Sequence, residues 1–96
     1  LYEERDPRQQ YRRIKGVGRA TSRELAILRE LAAWREEEAR RRDRPRGRVI
    51  PDDTLLRLAR GKPRTPEAVR SFQSVGRRYV ETVLELIDRG LSIPAD

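Results

Sequence analysis

From Leu25 to Trp34 the apolar side chains fall at Leu25, Ile27, Leu28, Leu31, Ala32 and Trp34. Only an α-helix turns that spacing to one side. The same period returns at Leu55, Leu56, Leu58 and Ala59, at Ala68, Val69 and Phe72, and at Tyr79, Val80, Val83, Leu84, Leu86 and Ile87. Nowhere do apolar and polar residues alternate with β-branched enrichment, so no sheet is expected. A chain of 96 residues has room for one core only. The fold class is therefore all-α. Charged residues make up 41% of the chain, but the regular apolar period argues against a disordered polymer.

Breaks in the pattern divide the chain. Residues 1–15 are polar with no clear period and read as a linker or arm from a preceding domain, with the helical domain over 16–96. Gly16-Val17-Gly18 makes a turn. Thr21 or Ser22 then caps the main helix, and Glu24 completes a capping box with Thr21. Glu36/Arg40, Glu37/Arg41 and Glu38/Arg42 stand four apart in the favourable order, so this helix end is expected to be solvated and self-paired. Pro45 and Gly47 must break it. Asp52 or Asp53 caps a short helix stopped by Gly61 and Pro63. Thr65-Pro66-Glu67 starts the next, and Gly90 ends the last. Trp34, Phe72 and Tyr79 are placed in the core. Tyr11 is placed as an anchor for the arm rather than a stacking platform.

Composition excludes much chemistry. There is no Cys, hence no disulfide, thiolate nucleophile or Cys-built zinc site. There is no His, the commonest general base and metal ligand. The carboxylates have structural roles as caps and ion-pair partners. No catalytic residue, metal ligand or cofactor is therefore assigned. No apolar run approaches the ~20 residues that span a bilayer. Met is absent even at position 1, so the chain is expected to be a fragment or a processed product.

Charge gives the positive clue. The net charge is +7, and residues 40–48 alone carry six Arg against one Asp, or +5 of that total. This is the footprint of a nucleic-acid or other anionic partner. Arg40, Arg41 and Arg42 have Glu one turn back. Arg44, Arg46 and Arg48 sit in a Pro/Gly segment with only Asp43 nearby, which suits bidentate phosphate contact. Lys62 and Arg64 on a later basic turn are possible support. Two Gly turns, Ile14–Arg19 and Val75–Arg78, offer amides beside cations and serve equally well as plain connections.

The segments Arg23–Arg35, Arg42–Asp52 and Leu55–Ala59 together are similar to the HRDC domain, in the form carried behind the exonuclease domain of the bacterial ribonuclease D family. The resemblance runs from about Tyr11 to Ile87. It implies a compact bundle of about five short helices acting as an accessory nucleic-acid-binding module. The parent reaction it implies is metal-dependent 3′→5′ trimming of RNA, typically of tRNA precursors, in the cytoplasm. The family's catalytic carboxylates lie in the separate exonuclease domain and match nothing here. The partners expected are thus RNA, single-stranded DNA as an alternative, and the parent's catalytic domain. In helicase-borne relatives the loop after the first long helix contacts single-stranded DNA, often with an aromatic near the position of Gly47. Here Arg46 and Arg48 flank that glycine, so phosphate contact replaces stacking. Many relatives carry a longer segment after Gly76, whereas this chain runs directly through Arg77, and no binding role is carried to that turn. The rival expectation is a structural or interaction module that docks on a catalytic domain.

Overall fold

The computed structural model describes residues 11–93. The first ten residues of the expected arm lie outside them. The packed body already includes Tyr11, which lies against the core, and Ile14, which is buried within it, upstream of Gly16. Gly16 holds φ 93°, the left-handed conformation that glycine adopts without steric cost. A 3₁₀ turn over Val17–Arg19 follows.

Helix α1, Ser22–Arg42, starts on the expected capping box. Thr21 Oγ1 accepts from the Glu24 N–H at 3.2 Å, and the Glu24 carboxylate accepts from the Thr21 N–H at 3.0 Å. It ends where Asp43 turns left-handed at φ 56° and the Arg44 N–H reaches back to the Ala39 carbonyl at 2.9 Å. Pro45 prevents any continuation. The segment that follows is more regular than a loop: Arg46–Val49 closes one helical turn, α2. Helix α3, Asp52–Gly61, has Pro51 rather than an aspartate at its N-cap, and runs through Gly61 to a left-handed Lys62. Helix α4, Pro66–Arg70, carries the expected Thr65 cap, with its hydroxyl accepting from the Ala68 N–H at 3.1 Å. A 3₁₀ turn, Arg77–Tyr79, leads into α5, Val80–Ser92. Among the described residues there is no strand.

Helix α1 is the spine, with α3 and α5 packed on it; α2 folds back along its C-terminal half and α4 rests on α5. Ile27, Leu28 and Leu31 of α1, Ile50, Leu55 and Leu58, Val69, and Val83 and Ile87 are fully buried at the centre. Trp34, Phe72 and Tyr79 are only half-buried and flank this core.

Gly90 does not end the last helix. It lies inside α5 because the helix crosses α1 there at very short range: a Cβ on Gly90 would stand 2.6 Å from Ile27 Cα. Helix packing selects the glycine, and the sequence alone makes it look like a stop. Gly90→Ala is expected to destabilise the fold by about 2 kcal/mol, because overpacking outweighs the ~1 kcal/mol that alanine gains in a helix. A thermal melt checks this. A stabilised variant, as at an exposed helix glycine, would contradict the close crossing.

Candidate nucleic-acid interface

The apolar stripe of α1 does not stop at Ala32. It continues through positions 35 and 38/39, so Arg35 and Glu38 are buried alongside Ala39. Each charge is held by a specific set of bonds. Arg35, 2% exposed, donates from Nη1 to the Ile50 carbonyl at 2.8 Å and faces Asp52 Oδ1 at 2.8 Å. Burial pulls its pKa below the ordinary value, against the bond to Asp52. Its Nε is buried without a partner among the described residues. Arg35 thereby fixes the chain where it leaves α2, and with it the position of the basic segment.

Glu38 is 5% exposed and accepts from Arg41 Nη2, from Arg42 Nε at 2.6 Å and from the Tyr79 hydroxyl at 2.8 Å. Burial raises the carboxyl, but the bonds from Arg42, Arg41 and Tyr79 outweigh it and hold the group at about 2. Burial and the Glu38 carboxylate push Tyr79 up, which keeps its hydroxyl a donor. The Tyr79 ring meets Trp34 edge-on, with centroids 5.0 Å apart. Because the folded value lies below the ordinary 4.5, the stability Glu38 contributes is complete above about pH 5. It is lost as pH falls through the window from 4.5 to about 2. Urea midpoints of the wild type are expected to fall across that window more steeply than those of Glu38→Gln.

Of the three pairs expected at this helix end, only Glu38–Arg42 forms. Glu36 turns instead to Arg46, 2.9 Å away. The fold-back of α2 brings position 46 beside position 36, a tertiary contact that helix spacing does not reveal. Arg46 is therefore not the unpaired cation its Pro/Gly setting suggested. Asp52 and Asp53 serve as partners of Arg35 and Arg57 rather than as caps.

Arg44 and Arg48 are exposed and have no ion-pair partner among the described residues. Arg48 lines an open groove together with Val49, Ser74, Gly76, Arg77, Arg78 and Tyr79. The groove brings the basic segment after α1 against the second Gly turn, far apart in sequence. Arg77 is exposed there, and Arg78 lies over the Tyr79 ring at 6.0 Å. Sequence reasoning left this turn open between a binding loop and a plain connection and named neither arginine as a site; the only signal for them was their place beside Gly76, before a helix. Exposed guanidiniums lining one groove can each take a phosphate oxygen through paired N–H donors.

Lys62 and Arg64 stand elsewhere. Lys62 pairs with Glu24 at 3.6 Å, and Arg64 with Asp88 at 3.2 Å. At 1.5 Å of rise per residue, Glu24 is ~18 Å along α1 from the Glu36 that holds Arg46. The structure thus joins Arg48 to Arg77 and Arg78 and separates it from Lys62 and Arg64. Among the described residues no group of three carboxylates is placed to hold a metal ion, and no helix is long and apolar enough to cross a membrane.

Comparison with known proteins agrees with this architecture. The crystal structure of Escherichia coli RNase D, an exoribonuclease involved in structured RNA processing, superposes with a TM-score of 0.89 at 29% identity. The match covers 96% of this chain and 25% of that enzyme. No curated protein sequence matches. The family model of the HRDC domain matches residues 24–87, which takes in all but the first two residues of α1, the whole of α2 to α4 and most of α5, and the chain belongs to that family.

Proposed function

We propose that this domain is the accessory nucleic-acid-binding module of a ribonuclease D-type 3′→5′ exoribonuclease, and that it holds RNA, with tRNA precursors as the substrate class, by its phosphates. The observation that carries the reading is the convergence of Arg48, Arg77 and Arg78 on one groove, with unpaired Arg44 on the turn leading into it. The likeness to an exoribonuclease that processes structured RNA supports the choice of RNA. Three of the groove's polar side chains are guanidiniums, which suit phosphate contact, and such contact carries no sequence information. Sequence preference is accordingly slight and affinity strongly salt-dependent.

The test is fluorescence anisotropy of a short labelled single-stranded RNA titrated with the chain at several salt concentrations. Four phosphate contacts, from Arg44, Arg48, Arg77 and Arg78, give a slope of log K against log salt of about −3, at ~0.7 per contact. A slope near zero, or no binding at ~50 mM salt, would favour a protein-docking role. A single-stranded DNA of equal length, bound more tightly than the RNA, would move the reading to the helicase-borne type.

A further inference from the structure

Arg41 and Arg42 belong to the densest run of positive charge in the chain, yet both guanidiniums bond to the same buried carboxylate. That carboxylate also takes the hydroxyl of Tyr79, whose ring lines the groove and carries Arg78 over its face. Glu38 is thus bonded both to two cations of the basic run and to the hydroxyl of an aromatic that lines the groove. We propose that Glu38 sets the groove's cation count: it ties Arg41 and Arg42 to the protein and seats Tyr79, leaving phosphate to Arg44, Arg48, Arg77 and Arg78.

The inference rests on the phosphate-binding reading above and names a positioning residue within it. Two guanidiniums bonded to one carboxylate present fewer N–H donors to an incoming phosphate, and a joint charge of one positive instead of two. Arg42, only 38% exposed, is the more withdrawn of the two; Arg41 is 68% exposed. Burial of the carboxylate makes this lasting, since a solvated surface acid would be screened and would exchange partners. The effect is to moderate affinity. A domain that holds RNA for a linked exonuclease must also release it, and each added phosphate contact slows release.

Glu38→Gln keeps the side chain's length and its oxygen acceptor while removing the charge. With the full chain and the same labelled single-stranded RNA, it is expected to steepen the salt slope by about 0.7 for each arginine released. Referred to 1 M salt, one released guanidinium corresponds to roughly 4-fold tighter binding near 0.15 M. Adding Arg42→Ala to Glu38→Gln should remove at least half of the gain in slope, whereas Arg42→Ala in the wild type should leave the slope unchanged. A merely structural Glu38 would lower affinity on substitution or leave it alone, and would not raise the slope. An unchanged slope in folded Glu38→Gln overturns the inference. So does a wild-type slope that falls by about 0.7 on Arg42→Ala, a result that can be read even if Glu38→Gln does not fold. The phosphate-binding reading fails by a different sign, namely wild-type binding that is indifferent to loss of Arg48, Arg77 and Arg78.

Discussion

Arg35→Ala is expected to destabilise the domain by about 3 kcal/mol, the sum of an unsatisfied buried carbonyl and a cavity only partly refilled. For a chain of this size that is a fall in Tm of roughly 12–24 °C. The Ile50 carbonyl takes its bond from Arg35 Nη1, and Ile50 itself is fully buried, so water has little access to replace the lost donor. The methylene stem of Arg35 also fills the gap between α1 and the chain leaving α2. Asp52 behaves differently. Its side chain is 58% exposed, so Asp52→Asn leaves a solvated oxygen that still accepts from Arg35; the buried guanidinium loses its countercharge but keeps the carbonyl bond, and the cost is smaller than that of Arg35→Ala. Chemical denaturation of the two variants decides whether the carbonyl or the ion pair dominates. Equal losses would mean that the ion pair carries the stabilisation. Arg35→Lys should be less damaging than alanine, because both bonds leave the one nitrogen Nη1 and an ammonium also carries several donors on one nitrogen.

The position of Arg35 also shows how far the sequence could be read. Helical period and break residues made the all-α class, the capping box at Thr21 and the start at Thr65 legible, since these depend on neighbours within one turn. The resemblance of the strings around Leu25–Asp52 to the HRDC domain was legible in the same way, and the family match bears it out. Tertiary contacts were not. The charged run from Arg35 to Arg42 looked like a solvated face because its residues are charged, although positions 35 and 38 continue the stripe of Leu28 and Leu31. Following the period instead of the residue type would have marked both as buried, and a buried charge demands a partner. Gly90 is legible as a glycine but its reason, the approach of Ile27, comes from another helix. The pairing of Arg46 with Glu36 depends on α2 folding back, which nothing in the local sequence dictates.

The same limit shaped the view of the interface, and it fixes the result expected when the groove is dismantled. Arg48→Ala, Arg77→Ala and Arg78→Ala combined should reduce the salt slope from about −3 to about −1, leaving Arg44 as the main contact. Over the ~0.8 decade between 0.15 M and 1 M salt, three contacts at ~0.7 each correspond to roughly 50-fold weaker RNA binding at the lower salt. Stability should scarcely change, since Arg48 and Arg77 are exposed and unpaired and Arg78 touches only the outer face of Tyr79. Lys62→Ala with Arg64→Ala is the matched comparison. Those two cations lie between the groove's two segments in sequence, but they are paired to Glu24 and Asp88 at other places on the surface. Their loss removes positive charge without removing a contact, so affinity should fall by only a few-fold through the general field and the slope should barely move. If instead the two sets weakened binding alike, net charge rather than the groove would hold the RNA, and the convergence of Arg48 with Arg77 and Arg78 would have no functional meaning. The slope separates the two cases, because it counts the counterions that phosphate contacts displace and not the charge the protein carries.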